Sequence, residues 1–441
     1  MNILFSLALL IHFTTHFHGH CTTDNLQLDT AITVAIPPLY MNGFVTPTFV
    51  LETRQPVPSF RAGLTVEAVE GNKYVCSFDV YLGNSRVWSS SRFFTSEKCV
   101  INLTRDGNLR LTGQNDEIGW QTATHGQGIK RLNLSDYGNL VLVDEFNVIK
   151  WQSFHFPTNV MLYGQRLSAG TKLTSPSKIS NSSYSFEIQQ QKLALYLNSG
   201  KFKYSYWEFN PKKPENISFI QLATNGLHLF NYNNHKFAQI PCKRLKLLRF
   251  LAIDNATGNL GFYYYSNTTR KFENSFQALR NKCDQPYFCK PNEICTFSNK
   301  CSCLPNDGSL GNFCRNSRSD MNETRNITIV LRNENWKIVN ATKESCKHSC
   351  KKNCTCVGAL FERENSECYL YGEIRGMKEV DNVDEKTSFM VKVLEGEKNK
   401  NGLRKWELIL IVVVDGIVLF VCLGGMGFYM LWKRKNEANN N

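Results

Sequence analysis

Ile101-NLTRDGNLRL-Thr112 and Leu132-NLSDYGNLVL-Val143 share one pattern. In each, an alternating apolar run enters an x-Gly-Asn turn and a second apolar run leaves it, the signature of a β-hairpin. The equivalent asparagines, Asn108 and Asn139, stand 31 residues apart. One hairpin recurring at a fixed interval predicts a β-prism or small barrel of repeated hairpins. Outward from the repeat, strand-like runs broken by Gly, Asn and Asp fill residues 26–165: TVEAV, YVCSFDVYL and RVWSSSRFF before it, VIKWQSF after it. No helical period is sustained there. Cys76 and Cys99 are expected to pair across neighbouring strands. Residues 180–278 also read as β, through SYSFEI, LALYLN, KYSYWEF, LLRFLAI and NLGFYYYS. Phe262, Tyr263, Tyr264 and Tyr265 are read as core and cross-strand packing. The basic run Lys243, Arg244, Lys246 and Arg249 is read as a solvated face, with an acidic polysaccharide contact as the sharper alternative.

The two ends of the chain set its expected compartment. Leu408–Trp432 is a run of 25 residues with one charge, Asp415. A helix rises ~1.5 Å per residue, so this run is long enough to cross a hydrocarbon core of about 30 Å. Lys433, Arg434 and Lys435 follow it as a cytoplasmic flank, and the nine residues after Trp432 are expected to leave no room for a kinase. At the other end, Ile3–Phe13 has the length of a signal-peptide apolar region, with cleavage expected after Cys21. The formal charge of +13 fits acidic glycans or a membrane surface, and no basic-aromatic block of a nucleic-acid module is present. N-x-S/T sequons at Asn102, Asn133, Asn181, Asn216, Asn255, Asn267, Asn322, Asn326, Asn340 and Asn353 all fall between signal and membrane run. They predict an N-glycosylated surface. Of sixteen cysteines, eleven lie between Cys283 and Cys368. In a secreted chain such a cluster means disulfides, not metal.

Asp106-Gly107-Asn108-Leu109, Tyr137-Gly138-Asn139-Leu140-Val141-Leu142 and Trp151-QSFHFPTNVMLYG-Gln165 resemble the bulb-type (G-type) lectin domain of plant S-locus glycoproteins and S-domain receptor kinases. That family carries W-Q-S-F-D-x-P-T-D-T-x-L-P-G; here His155, Asn159 and Tyr163 stand at three of the usual positions. Bulb lectins take mannose through Q-x-D-x-N-x-V-x-Y. Aligned on the asparagine, the first repeat gives Thr104, Asp106, Asn108, Arg110 and Thr112; the second gives Ser135, Tyr137, Asn139, Val141 and Val143. Each keeps two of five positions. With each hydrogen bond worth on the order of 1 kcal/mol, most sugar affinity should be lost. Asp106, Asn108 and Asn139 are therefore a degenerate carbohydrate site whose residues serve mainly in the turns.

The same resemblance extends along the chain. The segments Ser183–Ile188, Leu193–Tyr196 and Leu251–Leu260 resemble the second lectin-like half of S-locus glycoproteins. Cys283, Cys289, Cys295, Cys301, Cys303 and Cys314 resemble the family's EGF-like module, which implies the pairs Cys283–Cys295, Cys289–Cys301 and Cys303–Cys314. Asn281 and Lys282 stand where a calcium-binding module would carry acids, so no calcium is expected. Cys346, Cys350 and Cys354, four apart, share a helix face, with Thr342 as its cap. Ser345-CKHSCKKNCT-Cys356 resembles the PAN/apple domain, implying Cys346–Cys368 and Cys350–Cys356. Once Cys21 and Cys422 are set aside, Cys354 has only Cys242 as a partner. Two free or intermolecular thiols are the alternative.

The expected architecture is mainly β. It comprises a signal peptide (1–21), a bulb-type lectin domain (22–165), a second lectin-like domain (175–279), an EGF-like module (280–316), an α+β PAN/apple domain (325–398), a transmembrane helix (407–432) and a short tail (433–441). No catalytic motif stands out, so no enzyme, metal or cofactor is expected. The function this implies is a non-enzymatic, kinase-less, single-pass type I receptor-like protein at the plasma membrane. Its partner would be a protein or peptide ligand or a membrane co-receptor. The alternative is a mannose-type membrane lectin whose partner is a glycan.

Overall fold

The computed structural model describes residues 25–36, 43–55, 57–69, 73–242, 247–303, 319–324, 326–381, 386–394, 421 and 423–430. The expected signal peptide, the tail and Leu408–Phe420 of the expected membrane run lie outside them. Among the described residues, no helix is long and apolar enough to cross a membrane.

The hairpin repeat builds a prism. Strands Lys98–Leu103 and Leu109–Thr112 pair with Asn102 opposite Arg110. Strands Ile129–Leu134 and Leu140–Asp144 pair the same way, with Asn133 opposite Val141. Gly107 and Gly138 hold positive φ, +85° and +81°, a region that glycine enters without steric cost. Each hairpin widens to a four-stranded sheet, and a third sheet forms from Val45–Glu52, Phe60–Val69, Lys73–Leu82 and Ser85–Ser89, with Phe93–Thr95 on Lys73–Leu82. The sheets' inner faces bury Leu64, Phe78, Ile101, Leu111, Leu132 and Leu142 in one core.

A second arrangement of three sheets follows. Its strands run from Val160–Leu162 to Lys271–Gln277. Tyr184, Phe186, Leu195, Leu251 and Phe262 fill it, and Tyr264 is also buried. Arg249 is only 6% exposed, which corrects its reading as part of a solvated basic face. Its guanidinium donates to the carbonyls of Val57 and Pro58, 3.3 Å each, and lies 5.6 Å from the Phe60 ring. It therefore bridges the two prisms, and burial lowers its pKa. Lys243, Arg244 and Lys246 lie outside the described residues.

Two smaller sheets follow among the described residues. Glu293–Cys295 pairs with Cys301–Cys303 and, in parallel, with Met377–Glu379. A five-stranded sheet built on Gly358–Glu362, Glu367–Tyr371 and Thr387–Leu394 packs against the helix Lys343–Lys352. Thr342 caps that helix by accepting from the Ser345 backbone N–H, and the Ser345 hydroxyl accepts from the Thr342 N–H in return. The short strand Arg332–Asn333 leaves this last sheet region and joins the second prism, with Tyr204 opposite Asn333 and Ser205 opposite Arg332. Consequently one hydrophobic core runs from Met161 through Ile294 to Phe389.

The candidate binding turns and the disulfide frame

In the first repeat, Asn108 is 2% exposed. Its Oδ1 accepts from the Thr122 hydroxyl (3.1 Å) and the Thr124 N–H (3.3 Å), and its Nδ2 donates to Gln121 Oε1 (2.9 Å). Asn139 repeats this arrangement at 9% exposure. Its Oδ1 accepts from the Ser153 hydroxyl and the Phe154 N–H, 3.1 Å each, and its Nδ2 donates to Gln152 Oε1 at 2.7 Å. Both acceptor positions of each amide oxygen are thus filled from within the chain. These asparagines tie each turn to the strand that follows it.

Asp106 is exposed, but it too is engaged locally. It accepts from the Thr104 hydroxyl, from the Asn108 N–H at 3.2 Å, and from Arg110 at 3.4 Å. The Thr104 hydrogen bond holds its carboxyl below the usual range. At the equivalent place in the second repeat stands Tyr137, 58% exposed. Its ring lies 6.0 Å from that of Tyr163. Together with Phe154 and Gln221–Ala223 they line a 330 Å3 cleft between the two prisms. Asp106 and Asn108 therefore share one turn, Asn139 sits in another, and the three do not converge on one pocket.

The hairpin repeat has a third member that the x-Gly-Asn pattern does not mark. Ser90 Oγ accepts from the Phe78 N–H at 2.9 Å, just as Thr122 and Ser153 accept from Leu109 (3.1 Å) and Leu140 (3.0 Å). Trp88, Trp120 and Trp151, each two residues before those hydroxyls, meet edge-to-face with ring centroids 5.9–6.1 Å apart. Their spacings of 32 and 31 residues were the available signal.

Disulfides join Cys76 to Cys99, Cys283 to Cys295, Cys289 to Cys301, Cys346 to Cys368 and Cys350 to Cys356, with Cα–Cα distances of 5.3–6.0 Å. Such separations suit a bridge. The expected Cys242–Cys354 bridge is not formed. The Cys242 thiol points to the Thr224 carbonyl, 3.7 Å away, within its own sheet region, while Cys354 is exposed beyond the helix Lys343–Lys352. Cys303 is exposed, and Cys314 lies outside the described residues. Asn181, Asn216, Asn267, Asn322, Asn326 and Asn340 are exposed, and Asn102, Asn133, Asn255 and Asn353 are half-buried.

A family model described as D-mannose binding lectin matches residues 85–180. A G-type lectin S-receptor-like serine/threonine-protein kinase of Arabidopsis thaliana is 26% identical over 328 residues, covering 66% of this chain and 38% of that protein. A PAN domain-containing protein of the same plant is 26% identical over 365 residues, covering 76% of this chain and 72% of that protein. Over about two thirds of its length the chain is thus similar to plant G-type lectin S-receptor-like and PAN domain-containing proteins. EP1-like glycoprotein 4 of Arabidopsis thaliana also matches this chain, at 27% identity over 339 residues, covering 66% of it and 74% of that protein. The chain spans less than half the length of the curated S-receptor-like kinases it matches. Among solved structures, mannose-binding lectins from Gastrodia elata are similar at 21% identity, covering 30% of this chain and 96% of theirs, with a TM-score of 0.19.

Proposed function

We propose that this chain is the recognition portion of a non-enzymatic, single-pass receptor-like protein at the plasma membrane. In this reading it engages a protein or peptide ligand, or a membrane co-receptor, and does not bind mannose at its lectin turns. The observation that carries the reading is the internal use of Asn108 and Asn139. A sugar hydroxyl at either amide oxygen would have to displace a hydrogen bond already made inside the fold, so the exchange gains little. The replacement of an acid by Tyr137 supports the same conclusion, because it puts an aromatic ring where a carboxylate would accept from hydroxyls. Residues 280–316 are taken as an EGF-like module and residues 325–398 as a PAN/apple domain. The disulfides at Cys283, Cys289, Cys346 and Cys350 support this assignment. The signal peptide, the membrane helix over 407–432 and glycosylation at the ten sequons belong to the same proposal.

Crosslinking the tagged full chain on intact plant membranes tests this reading. Recovery of a defined membrane or secreted protein, in proportion to the chain and lost when the ectodomain is removed, is the expected result. Recovery of the chain alone, together with retention on a mannose resin, would contradict it.

A further inference from the structure

The second prism and the last module enclose a groove of about 740 Å3. It lies within the roughly 300–1,000 Å3 range of small-ligand sites. One wall carries Gln189, Gln191, Lys192, Trp207, Glu208 and Asn210. The other carries Arg332, Lys337, Glu362, Glu367 and Tyr369. The pairing of Ser205 with Arg332 fixes the walls relative to each other, so the groove is preformed and a ligand would not have to order it.

The chemistry of the lining is distinctive. Lys192 pairs with Glu208 at 2.7 Å, Arg332 with Glu362 at 2.5 Å, and Lys337 with Glu367 at 2.7 Å. Lys386 and Glu364, both exposed, add one charge of each sign. The described lining of the groove is therefore neutral on a chain of formal charge +13. A charged ligand seated against the three ion pairs would have to break one of them, Glu362 being only 8% exposed, and a buried charge left without its partner is costly. A neutral ligand rich in hydroxyls meets no such cost. It donates to carboxylate oxygens and accepts from N–H groups that ion pairing leaves over, and it uses the side-chain amides of Gln191, Asn210 and Asn365 both ways. Trp207, half-buried in the wall, presents a flat apolar ring beside these polar groups, the combination that suits a ligand with one apolar and one polar aspect. A peptide would need pockets for apolar anchors, and with Tyr369 only 2% exposed, Trp207 is the one aromatic ring accessible among the described lining residues.

We propose that this groove binds a neutral oligosaccharide, with Trp207 stacked against a sugar ring and the three ion pairs hydrogen-bonded to its hydroxyls. The site is separate from the lectin turns and from the partner discussed above, and either reading can fail without the other.

The test titrates the full glycosylated chain in detergent micelles with neutral hexasaccharides of β-1,4-linked glucose, xylose, mannose and N-acetylglucosamine. A hexagalacturonate serves as the charged comparator. Calorimetry gives affinity, and saturation-transfer NMR gives the sugar protons in contact. At least one neutral hexasaccharide is expected to bind, with Trp207→Ala weakening it tenfold or more. Asn210→Ala, at an exposed position that leaves the core untouched, is expected to weaken it severalfold, while Asp106→Ala leaves it unchanged. Absence of binding by every neutral sugar would overturn the proposal. So would binding indifferent to both Trp207→Ala and Asn210→Ala, preference for hexagalacturonate, or displacement by unglycosylated peptides alone.

Discussion

Asn108 and Asn139 show how one residue type changes its work. Each fills both acceptor positions of its amide oxygen from within its own repeat. Replacing either by alanine removes the shared acceptor of a hydroxyl and a backbone N–H, and leaves the Thr124 N–H or the buried Ser153 hydroxyl unpaired, at a cost of about 1–3 kcal/mol. Chemical denaturation of the ectodomain carrying Asn108→Ala or Asn139→Ala should show that loss, and wild-type stability in both variants would refute the structural role. Glu367 makes a second prediction at this scale. Burial pushes its carboxyl up, but hydrogen bonds from Lys337 and Tyr369 and the nearby ammonium bring it below the ordinary value. A carboxyl depressed in the folded state stabilises above its unfolded pKa of about 4.3, and that contribution disappears as pH falls through the folded value. Unfolding free energy measured from pH 6 down to pH 3 should therefore fall less steeply in Glu367→Gln than in wild type. The turn role of the asparagines was legible from x-Gly-Asn in the sequence. Their bonds to Gln121 and Gln152 were not, because these depend on strand register.

Among the elements, the helix Lys343–Lys352 has the most explicit local logic. Cysteines four apart place Cys346 and Cys350 on its buried face, and Thr342 starts it. Thr342→Ala should cost about 1 kcal/mol through the lost cap. Opening Cys346–Cys368, which closes 22 residues, should cost more, about 3 kcal/mol on the chain-entropy account. Thermal unfolding of Thr342→Ala beside Cys346→Ser/Cys368→Ser gives the comparison, and equal losses would contradict that ranking. This helix could be read from spacing alone. The strand Arg332–Asn333 could not, because two residues carry no periodicity and its pairing to Phe202–Phe209 is set by tertiary contacts. Its neighbours reinforce the pairing: Glu334 accepts from the Ser205 hydroxyl at 2.7 Å, Asn335 accepts from the Lys203 N–H at 2.6 Å, and Trp336 meets Phe202 edge-to-face at 5.3 Å.

For the whole molecule, that junction packs the second prism against the cysteine-rich region that follows it. The core running from Met161 to Phe389 makes the second prism and the cysteine-rich remainder one cooperative unit. Limited proteolysis of the ectodomain should yield a resistant piece spanning about residues 160–394. Release of a folded 325–394 fragment on its own would contradict this. The lectin hairpins and five of the disulfide pairs were legible because turn chemistry and cysteine spacing are local signatures. The groove between modules was not, since its walls come from residues more than a hundred positions apart, such as Trp207 and Tyr369. In the proposed reading, the turns around Asp106, Asn108 and Asn139 do not take mannose. Its most direct test is calorimetric titration of the glycosylated chain with α-methyl mannoside, beside a mannose-binding bulb lectin. No saturable heat from this chain at millimolar mannoside is the predicted result. Saturable binding abolished by Asp106→Ala would contradict the account.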